Sequence, residues 1–228
     1  IESVCWLHQG EKGYVILPET KLQLLIKTGK EINTTDRAIA DKQPNFIIAL
    51  NHGMNPGSSL DDNYTYYLIP NVSKEEMKAK VKKLQKDIAI VRHTASAHAV
   101  YSSKDRIRQY AFFKSGTISI GKVEVTSEDA ALIILRENGD HWTLSVSNPM
   151  PDGKKQRLTF HTNIPLTAGT YAYQTKGIYP LEGETVTISP ENGRTKVIVE
   201  IPDIRDELRY NYQSDLYAAS PIVIDISK

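Results

Sequence analysis

Residues 63–70 read NYTYYLIP and residues 45–53 read NFIIALNHG. In an extended chain successive side chains alternate between faces, so Tyr64, Tyr66 and Leu68 point one way and Thr65, Tyr67 and Ile69 the other. The second segment sets Phe46, Ile48 and Leu50 against Ile47 and Ala49. A sheet wetted on one side alternates apolar with polar residues, whereas a sheet covered on both sides need not. Both segments therefore predict strands of an inner layer, in a stack of several sheets rather than a simple two-layer sandwich.

The flanking sequence extends this β reading. VCWLHQ and YVILPE bracket GEKG, where Gly10 and Gly13 would give the φ freedom of a hairpin turn. KLQLLIKTG reads as another strand. One helix interrupts the series, SKEEMKAKVKKLQ at 73–85. Ser73 and Glu76 fit a capping box, and Met77, Val81 and Leu84 form one apolar stripe. Lys74, Lys78, Lys80, Lys82, Lys83 and Lys86 cover the rest, which reads first as a solvated face and second as a contact for an anionic polymer.

Beyond Gln85 the texture changes to short strands at regular spacing: DIAIVRHT, AHAVYS, RIRQYAFF, TISIGKVEVT, AALIILRE, HWTLSVSN, RLTFHT, TYAYQTKG, TVTISP and KVIVEIP. Asn138-Gly139 and Asn192-Gly193 suit type I′ turns or their bulged relatives. The fold expected is all-β. Residues 1–85 form the end of a multi-layer antiparallel β-sandwich with one short helix, and residues 86–228 a smaller antiparallel β-sandwich.

Composition narrows the function. Lys and Arg number 28 against 27 Asp and Glu, a net charge of +1, which gives no overall field toward nucleic acid or an anionic membrane. Cys5 is the single cysteine, so internal disulfides and cysteine-based zinc sites are excluded; within VCWLHQ it reads as a small buried hydrophobe. No run of 18 apolar residues occurs. The sequence opens directly in strand-like residues, without a Met or a signal-like stretch, which leads us to expect that it was cut from a longer chain.

The catalytic vocabulary is sparse. The six histidines, His8, His52, His93, His98, His141 and His161, show no metal-ligand spacing, so neither metal nor cofactor is expected. There is no G-x-S-x-G elbow, phosphate loop or dinucleotide fingerprint. GSSLDD places serines near Asp61 and Asp62, but these adjacent acids face apart in an extended segment. In NHG the sequence favours a turn at Gly53 held by His52, with substrate contact as the second reading; His52 is the one candidate binding residue. Tyr64, Tyr66 and Tyr67 read as core or interface residues. A β surface bearing Tyr, Trp and Asn can also stack on sugars, which keeps a stand-alone carbohydrate-binding β-sandwich module as the alternative.

The order WLHQGEKGYVILPE, KTGKEIN, FIIALNHGMNP, NYTYYLIPN resembles the late part of the central β domain of polysaccharide lyase family 8, the chondroitin, hyaluronan and xanthan lyases. DIAIVRHTASAHAVYSS and ALIILRENGDHWTLSVSNPM resemble that family's small C-terminal β-sandwich. KTGKEIN departs from the pattern, with Lys30-Glu31 where relatives often carry an aromatic, and residues 151–228 form a rather long tail. Among members the chondroitin sulfate ABC type is favoured. The resemblance implies an α/α toroid, a large multi-sheet sandwich and a smaller one, in a secreted or periplasmic enzyme cleaving acidic polysaccharide by β-elimination. In the family the toroid supplies Tyr, His, Arg and Asn, and the earlier sandwich a Glu. None of those motifs lies in this sequence, so no catalytic residue is assigned, and the substrate is expected to meet a missing N-terminal region.

Overall fold

Strand periodicity closes into antiparallel sheets in the computed structural model, which describes residues 3–18, 23–30, 44–51, 64–149, 156–173, 184–201 and 222–227. The chain divides into two compact units, Ile1–Gln85 and Lys86–Lys228.

The first unit contains β1 (Cys5–Gln9), β2 (Lys12–Ile16), β3 (Gln23–Lys30), β4 (Pro44–Asn51), β5 (Tyr66–Pro70) and all but the last two residues of helix α1 (Met77–Asp87). β2 is the middle strand between β1 and β5, while β3 pairs with β4. Gly10 turns the β1–β2 hairpin at φ +58, but Gly13 does not take a left-handed conformation. Its role is close approach: a Cβ there would collide with Met77 Sδ and lie 2.7 Å from Met77 Cε and 3.1 Å from Val72 Cγ1. The glycine is needed because α1 packs directly on the β2 backbone. Met77 is fully buried and has little room to yield. Gly13→Ala is expected to destabilise the unit by about 1–3 kcal/mol through overpacking, a loss that urea unfolding would measure.

Helix α1 starts as the sequence signals. Ser73 N–H donates to Glu76 Oε2 at 2.9 Å and Glu76 N–H to Ser73 Oγ at 3.4 Å, the two halves of a capping box. These bonds hold the Glu76 carboxyl below its usual range, the backbone bond from Ser73 first. Met77 and Val81 are buried and Leu84 half-buried, packed with Val15, Val72, Trp6, Tyr67 and Ile69. The apolar stripe thus anchors the helix to one face of the β1-β2-β5 sheet.

The other face departs from expectation. Tyr64, Tyr66 and Leu68 are 44%, 55% and 55% exposed, so β5 is not covered on both sides. Tyr67 and Ile69 on the opposite face do pack, and Ile16, paired with Tyr66, is buried. In β4 Ile48 and Leu50 are half-buried. Two largely apolar faces are compatible with burial on both sides, but the described residues give full cover to only one.

The second unit is a two-layer sandwich. Its strands are β6 (Ile88–Thr94), β7 (Ala97–Ser102), β8 (Ile107–Phe112), β9 (Gly116–Ile120), β10 (Val123–Ser127) and β11 (Ala131–Asn138). They continue with β12 (His141–Ser147), β13 (Gln156–Thr162), β14 (Gly169–Tyr173), β15 (Glu184–Glu191), β16 (Arg194–Ile201) and β17 (Ile222–Ser227). One sheet runs β14-β15-β16-β13-β10-β9 and the other β17-β12-β11-β8-β7-β6. Every second residue points inward, so Val125, Phe160, Val186, Val197 and Val199 of the first meet Phe112, Ile133, Leu135, Leu144 and Ile224 of the second.

Turn chemistry sets the registers. Asn192 and Gly193 both have positive φ, 51 and 76, between paired Glu191 and Arg194, as a type I′ turn requires. Asn138-Gly139 sits one place earlier than expected. Asn138 pairs with His141, leaving Gly139 and Asp140 as the loop with only Gly139 at positive φ, the pattern of type II′. TISIGKVEVT, which reads as one strand, is a hairpin of β9 and β10 turned at Gly121, whose φ is +61. β17 has no counterpart among the expected strands. It pairs with β12 and buries Ile222, Ile224 and Ile226.

Candidate functional site

The sequence candidates are unevenly placed. His52, with Gly53, Pro56-Gly57, Asp61 and Asp62, lies outside the described residues. Tyr64 and Tyr66 lie at one cleft of the first unit, about 540 Å³, lined also by Tyr14, Ile16, Ile48 and Leu50. The Tyr64 and Tyr66 rings stack with centroids 6.2 Å apart at 19°. Tyr67 points to the opposite face, where burial raises its pKa above the ordinary phenol value. The cleft lining is phenols and aliphatic groups, with no carboxylate or imidazole among the described residues. Such a surface can stack on a ligand or exclude water.

His8 is structural. Its Nε2–H donates to the Val72 carbonyl at 2.8 Å, tying β1 to the segment that leads into α1. That fixes the tautomer and uses the one imidazole in WLHQG on the fold.

The second unit gathers a denser set of charges that the sequence reading does not single out. Thr117, Thr126, His161 and Lys196 lie in register across β9, β10, β13 and β16. Glu191 takes His161 Nε2 at 2.7 Å and Lys196 Nζ at 3.0 Å, and Glu128 lies 3.6 Å from His161 Nδ1. Arg194 Nη2 meets Glu124 at 3.0 Å and donates to Thr126 Oγ1 at 3.0 Å. The signal is present in the sequence: a two-residue Asn192-Gly193 turn puts Glu191 opposite Arg194, and alternation puts Lys196 on the same face as Arg194. Lys196 first and His161 second hold the Glu191 carboxyl below its usual range. A carboxylate so stabilised is a weaker base. Glu191 and Glu124 already face Lys196 and Arg194, and Glu128 lies beside His161, which makes a cross-strand lattice rather than an isolated proton-transfer pair.

His93 and His98 meet edge-to-face at 4.7 Å, with Phe113 at 5.1 Å from His98. Burial first, and repulsion from His93 second, lower the His98 pKa. Among the described residues no three His, Cys, Asp or Glu side chains come together as a metal-binding group. No described helix is long and apolar enough to cross a membrane.

Comparison with known proteins places this architecture. Residues 89–157 match the family model for polysaccharide lyase family 8, C-terminal beta-sandwich domain. That stretch is similar to a family 8 C-terminal sandwich. The matched span runs from β6 to the start of β13, within the second unit.

Solved structures agree in fold. A mutant of the chondroitin AC lyase of Streptomyces coelicolor A3 aligns with 99% of this chain and 27% of its own, at TM-score 0.59 and 15% identity. The same lyase in complex with chondroitin sulphate gives the same values. A chondroitinase AC lyase studied as oligosaccharide complexes aligns with 96% of this chain and 27% of its own, at TM-score 0.57 and 17% identity. The chain thus spans about a quarter of the length of these lyases. The structures named are of AC lyases and lend no support to the ABC type favoured from sequence. No curated protein matches the chain in sequence.

Proposed function

We propose that this chain is the C-terminal part of a polysaccharide lyase whose full-length form cleaves an acidic polysaccharide, of the chondroitin sulfate class, by β-elimination. Residues 1–85 are the end of its central sandwich and residues 86–228 its small C-terminal sandwich. In the reaction a base removes the proton at C5 of a uronate, the C5–H electrons form the C4=C5 double bond, and the C4–O bond breaks with the departing oxygen taking a proton. A polymer of this kind does not cross a membrane, so the parent works in the periplasm or outside the cell.

The observation that carries the reading is the family 8 C-terminal sandwich, together with a fold that follows the chondroitin AC lyases along nearly the whole chain. The exposed Tyr64, Tyr66 and Leu68 face accords with it. Further sheet from the parent would complete the burial that the first unit lacks. The described residues supply scaffold: Glu191 and Glu124 are paired with Lys196 and Arg194, His8 and His161 hold a backbone carbonyl and a carboxylate, and the phenols with resolved shifts, Tyr67 and Tyr110, are raised by burial.

The test is the ultraviolet absorbance of unsaturated uronate after mixing with chondroitin sulfate or hyaluronan. Residues 1–228 alone are expected to give no turnover, and the full-length parent to give sustained turnover. Turnover by the 228 residues would overturn the scaffold role, and a parent without it would overturn the lyase reading.

A further inference from the structure

Helix α1 and the turn before it place lysines where intramolecular helix electrostatics disfavours them. At about 3.6 residues per turn, Lys78 and Lys82 lie one turn apart on α1, with Lys83 about 100° further round its exposed side and Lys74 in the turn that leads into the helix. All four are exposed, and among the described residues none makes an ion pair or hydrogen bond through its side chain. Lys80 differs, because Glu76 lies close enough to feel its charge. Like charges at i and i+4 weaken a helix, and Lys74 near the N-terminal end opposes the macrodipole. The acids of the segment are Glu75, the capping Glu76 and, at the far end, Asp87. The capping box and the buried Met77 and Val81 fix the helix, so the ammonium groups form a standing line rather than a loose tail.

We propose that Lys74, Lys78, Lys82 and Lys83 form a binding strip for an extended strand of acidic polysaccharide; the identity of this partner rests on the lyase reading above. Three features select it among polyanions. The apolar stripe of the helix is spent on the protein interior, so no apolar face is left to enter a membrane. Residues 73–87 contain no aromatic side chain for stacking nucleic-acid bases and no arginine for a bidentate grip on phosphate. Lysines act as point charges on flexible stems, which suits carboxylates and sulfates distributed along a sugar chain.

Fluorescence anisotropy of labelled chondroitin sulfate chains, titrated with the protein at several salt concentrations, tests the strip. The variant Lys78→Gln/Lys82→Gln/Lys83→Gln is expected to bind roughly tenfold more weakly at low salt, with the slope of log K against log salt reduced by about two, as counterion release requires. Its thermal midpoint should not fall, since the changes relieve repulsion. Equal affinity and slope for the variant, or no binding by the unaltered protein, would overturn the proposal. So would binding of phosphatidylserine vesicles or single-stranded DNA as tight as that of chondroitin sulfate at matched salt. Product formation by the parent is read separately, so a failed strip leaves the lyase assignment standing, and an inactive parent does not obscure the binding result.

Discussion

Phe112→Ala is expected to cost the second unit about 3–5 kcal/mol, the range for deleting a fully buried ring. Phe112 is fully buried in β8, and its direct partners on the two neighbouring strands are Ala97 of β7 and Ala131 of β11. One large ring therefore fills the inward space above two small side chains, stacked at 6° on Tyr110 with centroids 6.1 Å apart. Alanine at this position would put three methyl groups side by side across β7, β8 and β11. The cavity is hard to collapse because the backbone on both sides is held by ladder bonds. Urea unfolding followed by Trp142 fluorescence, in a Trp6→Phe background that silences the first unit, reads the loss directly. A loss under about 1 kcal/mol would mean that the site relaxes and that the large-small-small arrangement does not matter.

That arrangement illustrates what the sequence discloses. Apolar residues recurring at every second position locate most strands of the second unit, as in AHAVYS, RIRQYAFF and AALIILRE. It cannot say that Phe112 falls between two alanines, because register between strands depends on turn geometry, and turn geometry on single residues. Asn192-Gly193 behaves as its dipeptide suggests. Asn138-Gly139 slides by one place, because Asn138 pairs with His141 and needs no left-handed φ. β17 escapes the sequence reading although Ile222, Ile224 and Ile226 alternate cleanly: it completes a sheet through β12, far earlier in the chain.

The first unit carries the converse lesson. Apolar residues on both faces of NYTYYLIP report what the strand tolerates, not what covers it: Tyr66 and Leu68 stay exposed. Gly13 reads as a turn residue, yet it clears space for Met77, a contact that no local pattern encodes. The candidate site is less legible than the fold. His52 lies outside the described residues, and the densest polar cluster, around His161, requires cross-strand register before its members can be brought together.

Arg108 offers the second large effect, and a contrast that separates charge from bulk. It shares the inward face of β8 with Tyr110 and Phe112, and its side chain is only 11% exposed. The guanidinium carbon sits 5.0 Å from the Tyr101 ring centroid and 5.5 Å from that of Trp142, with Glu137 Oε2 3.6 Å from Nη1. Nε and Nη1 are buried without a hydrogen-bond acceptor, so the cation rests on two rings and one carboxylate. Arg108→Ala removes the stem, the ring contacts and the charge together and is expected to cost about 2–4 kcal/mol. Arg108→Met keeps the stem against the rings and discards the desolvated charge, so its cost should stay within about 1 kcal/mol. Glu137→Gln should cost about 1–3 kcal/mol in the native background, where it strips the cation of its counterion. In the Arg108→Met background, where the Arg108 charge is gone, the same change should cost less, by the share that this pair carries. The double-mutant cycle in urea decides between the two accounts. If methionine proves as damaging as alanine and the Glu137 cost persists undiminished beside it, the charge is not what binds these residues together, and the end of the sandwich is held by Glu137 through other partners.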